Sequence, residues 1–129
     1  MRIYVSHSSS YDFQNELYQP LRNSELNTLH EITLPHEYST SQFDSKEYMK
    51  DCNLILAEVS YPSTGQGIEL GWANAYAVPI LCFHKKGIKP SGSLSVISDT
   101  LIDYEDSQDM IQKLTDYVST FQNQRQNPS

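Results

Sequence analysis

Two rhythms of apolar and polar residues alternate along this chain. Short β-branched or aromatic runs are separated by polar loops and by stretches whose apolar positions fall three and four residues apart. Arg2 to Ser6 (RIYVS) has the make-up of a strand and is followed by the hydroxyl-rich loop His7-Ser8-Ser9-Ser10. From Tyr11 to about Leu26, Phe13, Leu17 and Leu21 recur at helical spacing, with Pro20 placed to kink or shorten the helix. Leu29 to Leu34 alternates as a second strand, and Pro35-His36-Glu37 opens a polar loop that runs to Gln42. Asp44 to Asp51 predicts a short helix introduced by Thr40 or Ser41, with Asp44, Glu47 and Asp51 near one face.

The centre of the pattern is Asn53 to Ala77. Its apolar start, Asn53 to Val59, predicts a buried third strand; a Pro/Ser/Gly loop follows, then a small-residue helix from Gly67 to Ala77. Pro79 begins a fourth strand (PILCFH), Lys85 to Ser95 is a Gly/Pro/Ser loop, and Thr100 to Tyr104 is a fifth strand. Asp106 caps a last helix with Ile111, Leu114, Val118 and Phe121 on its buried stripe. Strands alternating with helices, joined by right-handed crossovers, predict an α/β flavodoxin-like three-layer sandwich whose five-stranded parallel sheet has the order 2-1-3-4-5. In that topology Ser8, His36, the Ser60 to Gly67 loop and the His84 to Ser95 loop all leave carboxyl ends of strands, where open α/β sheets collect their ligands.

The 129 residues suit one domain, 1–121, followed by a polar tail, 122–129. A formal charge of −7 excludes binding that tracks a nucleic-acid backbone, which needs a basic face. Two cysteines, Cys52 and Cys82, make neither a disulfide framework nor a zinc site and read as core residues of a reducing compartment. With no apolar segment of spanning length and no cleavage-site pattern at MRIYVSHS, the expected location is cytoplasmic, away from any membrane. No histidine pair has metal-ligand spacing, so no metal and no cofactor is expected.

Glu69 carries the candidate chemistry. Two residues after Gly67, it is expected at or near the first turn of its helix, where unpaired amides and the helix dipole favour an ionised carboxylate. Such a group suits displacement at an anomeric carbon through an oxocarbenium-like transition state, and equally suits plain complementation of the helix. Gly65 and Gly67 are expected to let the loop pass close to a ligand; the spacing G-x-G-x-E matches neither the dinucleotide fingerprint nor a P-loop. Lys85, Lys86 and Lys89 place three basic side chains beside the cleft, or on a solvated loop.

Glu58-Val59-Ser60, Pro62-Ser63, Gly65, Gly67, Glu69-Leu70-Gly71, Ala73 and Pro79-Ile80-Leu81-Cys82 resemble the signature of the nucleoside 2-deoxyribosyltransferase superfamily. Within it they most resemble the 2'-deoxynucleoside 5'-phosphate N-hydrolase branch. The match is dense over about Asn53 to Phe83. The resemblance implies an enzyme that cleaves or transfers the N-glycosidic bond of a 2'-deoxynucleoside or its 5'-monophosphate, with Glu69 as nucleophile and Tyr4 as the active-site tyrosine. It also implies Asp44, offset by one residue, as the aspartate that positions nucleophile and sugar. Ser63 and Ser8 are implied phosphate ligands, with Gly65, Gly67 and His36 on the substrate-binding edge. Ser95, or Ser93 if the gap is placed differently, would reach a neighbouring site across a homodimer. Where the family has a turn containing glycine and arginine after the first strand, this chain has His7 to Tyr11, and Asn53 replaces a common aspartate.

The stretch Tyr4 to Phe13 also resembles the opening of TIR domains, some of which cleave NAD with a glutamate. That leaves a TIR-like NAD glycohydrolase, and a non-catalytic module that binds a nucleotide signal, as alternatives.

Overall fold

A computed structural model describes residues 1–38 and 45–126. Its elements are β1 (Arg2–His7), a π-helical turn (Gln14–Tyr18), α1 (Gln19–Arg22), α2 (Glu25–Leu29), β2 (Glu31–Thr33), α3 (Lys46–Met49), β3 (Leu54–Glu58), α4 (Thr64–Ala75), β4 (Ile80–Lys85), a 3-10 turn (Gly92–Val96), β5 (Leu101–Tyr104) and α5 (Ser107–Gln126). The five strands form one parallel sheet in the order β2-β1-β3-β4-β5, as the alternation of strand and helix patterns predicts.

Period-two alternation sorts the strand residues onto two faces. Ile3 and Val5 of β1, Leu54 and Leu56 of β3, and Leu81 and Phe83 of β4 face the π-helical turn, α1, α2 and α5, meeting Leu17, Leu21, Leu114 and Val118. Tyr4, Ile55, Ala57, Ile80 and Cys82 face the other way, toward Met49 of α3 and Leu70 and Ala73 of α4. Strands buried on both faces are what makes β3 and β4 near-continuous apolar runs. Both thiols are buried, and that burial pushes Cys52 up to about 11 and Cys82 upward as well.

The long helix expected from Tyr11 to Leu26 is broken in two places. Pro20 has no N–H to give; just ahead of it the Gln19 N–H bonds to Gln14 O, one carbonyl further back than α register, which opens the π-helical turn. After Arg22 the backbone becomes extended at Ser24, whose hydroxyl donates to Leu21 O at 2.6 Å. Arg22 then reaches past the end of β2, gripping both carboxylate oxygens of Glu37 at 2.7 and 2.8 Å and Ile32 O at 3.0 Å. That bidentate pair ties down the loop carrying His36. The last helix continues to Gln126, five residues into the stretch 122–129 that the sequence assigns to a tail.

At the far end of α4 the chain leaves through a Schellman motif. Val78 N–H bonds to Ala73 O at 2.9 Å and Ala77 N–H to Asn74 O at 3.1 Å, and Ala77 sits in the left-handed region at φ 59°. Ala77 is therefore the helix C′ residue rather than part of the helix. A Cβ there costs strain that glycine avoids.

The buried ring of His7 closes β1. Its Nδ1–H donates to Ser8 O at 2.8 Å, so Nε2 is the acceptor for the Tyr18 hydroxyl at 2.6 Å; that hydroxyl in turn accepts the His36 backbone N–H at 3.0 Å. Burial, with a smaller contribution from His36, lowers His7 to about 4 against a bond to Ser8 O that raises it.

Two stability measurements follow from these ends. Ala77→Gly raises the unfolding free energy in urea by about 0.5–1 kcal/mol, since relief of the left-handed strain outweighs glycine's added unfolded-state entropy. For His7, the folded ring holds its proton less tightly than the unfolded ring, so the native state binds fewer protons between the two values. Its contribution is intact above about pH 6.5 and is lost as pH falls toward about 4. In that interval wild-type stability declines up to about 1.4 kcal/mol per pH unit more steeply than that of His7→Gln, measured by urea denaturation.

Candidate active site

A cleft of about 640 Å³ opens at the carboxyl edge of the sheet, beside the switch point where β1 and β3 lead to opposite neighbours. Tyr4, His36, Ser45, Ser63, Glu69 and Trp72 are among its walls. Each strand or helix reaches the cleft by a simple rule. Tyr4 and Ser6 are two apart on β1 and so share the face that looks at α4. Ser45 is the residue before α3, and Glu69 and Trp72, three apart on α4, share one side of that helix.

The carboxylate of Glu69 is where these groups meet. Tyr4 Oη donates to Oε2 at 2.5 Å, Ser45 Oγ to Oε2 at 2.7 Å and Ser6 Oγ to Oε1 at 3.1 Å. Burial, with the charge of Glu69 second, pushes the Tyr4 phenol upward and keeps it a proton donor. Hydroxyl donors of this kind fix where the oxygens of the acid lie.

The helix starts earlier than its sequence suggests, and this changes what holds Glu69. Ser63 is the N-cap, its Oγ accepting Gln66 N–H at 3.3 Å, and α4 begins at Thr64. Glu69 is thus the sixth helical residue, beyond the first turn where amides are unpaired, and side-chain hydroxyls rather than the helix end are its partners. Gly65 and Gly67 are helical as well; neither has a positive φ, and a Cβ on either would meet nothing within 4 Å. Gly65 lines the cleft, so a side chain there would occupy space open to a ligand.

Of the residues the sequence singles out, Tyr4, His36, Ser63, Gly65 and Glu69 come together around the cleft. Ser8 is buried with its hydroxyl turned back to Ser10, accepting Ser10 N–H at 3.1 Å and sharing a bond with Ser10 Oγ at 2.8 Å, while Ser9 lines the cleft in its place. Ser95 and Ser93 are exposed on the 3-10 turn, Ser95 Oγ donating to Gly92 O at 3.0 Å. Asp44 lies outside the described residues.

Ser6, Ser45 and Gln66 belong to the site and were missed. Ser6 had a signal, since it sits two residues from Tyr4 on an alternating strand. Gln66 had one too: Ser63-Thr64-Gly65-Gln66 has capping-box spacing. Ser45 had none.

Among the described lining residues Glu69 carries the one formal charge, and no lysine or arginine joins it. Lys85 is paired with Glu16 at 2.7 Å and lies over the rings of Tyr11 and Tyr61, and Lys46 sits 5.9 Å from the Trp72 ring. Among the described residues no group of three or more His, Cys, Asp or Glu side chains is arranged to hold a metal ion. No helix among them is long and apolar enough to cross a membrane.

No protein-family model matches the chain, and no curated protein matches it in sequence. Solved structures do. The CMP N-glycosidase BcmB of Clostridium botulinum aligns with a TM-score of 0.65 at 21% identity, over 89% of this chain and 99% of that one. A 2-deoxyribosyltransferase from Bacillus psychrosaccharolyticus aligns with a TM-score of 0.59 at 20% identity, covering 85% of this chain and 90% of the other. A conserved protein from Enterococcus faecalis V583 gives 0.58 at 15% identity, covering 91% and 98%. The likeness of the N-terminal stretch to TIR domains finds no support among these three. In fold, this chain is similar to the solved CMP N-glycosidase and 2-deoxyribosyltransferase structures.

Proposed function

We propose that this protein cleaves or transfers the N-glycosidic bond of a 2'-deoxynucleoside or its 5'-monophosphate, with Glu69 as nucleophile. The observation that carries this reading is the carboxylate in the cleft, held by the hydroxyls of Tyr4, Ser6 and Ser45. Two of those donors are short and fall on Oε2, while Oε1 has one longer bond. Oε1 therefore keeps the more available lone pair and is the oxygen assigned to attack C1' of the sugar.

As the Oε1–C1' bond forms, the C1'–N bond breaks and its electron pair leaves with the base, which takes up a proton from solvent. Water, or a second base, then attacks C1' and frees Glu69. Tyr4 and Ser45 hold the opposite oxygen through both steps and leave it no rotation. The aromatic and apolar walls, Phe13, Trp72 and Ile68, suit a planar base. Among the described lining residues there is a carboxylate and no lysine or arginine, which suits the unphosphorylated nucleoside better than a phosphate dianion. A monophosphate would have to rely on Ser63 and the first amides of α4.

The neighbouring structures support the reaction class in their own names, a CMP N-glycosidase and a 2-deoxyribosyltransferase. Chromatography of free base from a panel of deoxynucleosides, their monophosphates and NAD tests it. Wild type is expected to release base from a deoxynucleoside with higher kcat/KM than from its monophosphate. Glu69→Ala lowers kcat by at least about 10³-fold. If Glu69→Ala releases base as fast as wild type, the assignment is wrong; tight nucleoside binding without turnover makes the protein a binding module.

Tyr4→Phe keeps the ring and removes the shortest bond to the nucleophile. It lowers kcat by about 10–100-fold with KM little changed, in steady-state assays of the same base release.

A further inference from the structure

Gln66 is the one cleft-lining residue that is both buried and polar on α4 yet has no part in bond cleavage as described. It is 6% exposed, and its Nε2 donates to two backbone carbonyls, Ser6 O at 3.2 Å and Glu58 O at 2.8 Å. Both Nε2 protons are thereby committed. The two acceptors stand at the carboxyl ends of neighbouring strands, where β1 and β3 make their final pair, His7 with Glu58. The backbone N–H of Gln66 is meanwhile held by Ser63 Oγ. One residue thus joins the cap of α4 to the ends of both strands.

Ser6 connects this clamp to the chemistry. Its carbonyl accepts from Gln66, and its hydroxyl donates to Glu69 Oε1 at 3.1 Å. Gln66 and Glu69 are three apart on α4 and face the same way. The helix therefore grips β1 twice through a single residue, once at the backbone and once at the side chain.

We infer that Gln66 is a positioning residue: by clamping the strand ends it fixes Ser6, and through Ser6 the oxygen of Glu69 that attacks. This rests on the nucleophile's role proposed above. Without the amide, two buried carbonyls lose a donor and relax toward other partners. Ser6 moves with its carbonyl, and its hydroxyl leaves Oε1. A displacement on the order of 1 Å at a reacting oxygen costs about 100-fold in rate.

Gln66→Met preserves length and helix propensity and removes both donors. The expected result is a kcat for base release lower by about 10–100-fold with KM within about twofold. A crystal structure of the variant should show Ser6 Oγ beyond hydrogen-bond reach of Glu69 Oε1, with Tyr4 and Ser45 still on Oε2. The inference is overturned if that bond survives at its wild-type length, or if it breaks while kcat holds. Absence of base release by wild type would remove the proposed reaction, and the crystal structure alone would then decide the clamp. If Gln66→Met does not fold, Gln66→Leu serves with the same two readouts, as it is uncharged, keeps a helix-favouring side chain and has no donor.

Discussion

A half-buried carboxylate needs hydrogen-bond donors in place of the water it gives up, and here three hydroxyls supply them from two directions. Two come from β1, one from the residue ahead of α3, and the acid itself rides on α4. None of these segments supplies the arrangement alone. The sheet, α3 and α4 must all be docked before Glu69 is held, so the site reports the integrity of one whole face of the fold. Small residues make this possible: Ala57 lies beside Ser6 in the β1–β3 register. Ala73 of α4 packs into the same core.

The same sheet edge carries a second glutamate treated in the opposite manner. Glu58, 1% exposed, accepts Ser60 N–H at 2.6 Å, Ser60 Oγ–H at 2.9 Å and the Tyr104 hydroxyl. Burial, then its bond to Glu58, pushes the Tyr104 phenol upward, so that group stays a donor. Ser60 Oγ also accepts Lys85 N–H at 2.8 Å, which joins the loop after β3 to the end of β4. Glu58 thus fastens β3, β4 and β5 from beneath. Glu69, eleven positions on, faces open space. Environment rather than residue type sets the two acids apart: one is enclosed by its partners and the other lines a cleft.

The sheet order was legible because strands buried on both faces leave continuous apolar runs, and because the alternation of such runs with helical patterns admits few right-handed topologies. Element ends were less so. The helix was expected to start at Gly67, with the glycines' conformational freedom serving the loop before it, yet the cap at Ser63 starts it at Thr64 and Leu70 and Ala73 pack it against the sheet. Pro20 signalled a disturbance without saying that it would take the form of a π-helical turn. Ala77 looked like one more small helical residue; its left-handed backbone depends on what Val78 packs against. Of the site, Tyr4 and Glu69 were readable through family likeness. The hydroxyl of Ser45 was not, because its contact spans 24 positions and no sequence pattern marks it.

The sequence contains a single tryptophan, and Trp72 is part of the cleft wall, one helical turn beyond Glu69. The indole emission of the protein therefore comes from one chromophore, and that chromophore stands on the wall of this cleft. Lys46 lies near that ring, so a bound base that stacks there would alter both the polarity and the quenching the ring experiences. The molecule carries its own optical probe of occupancy.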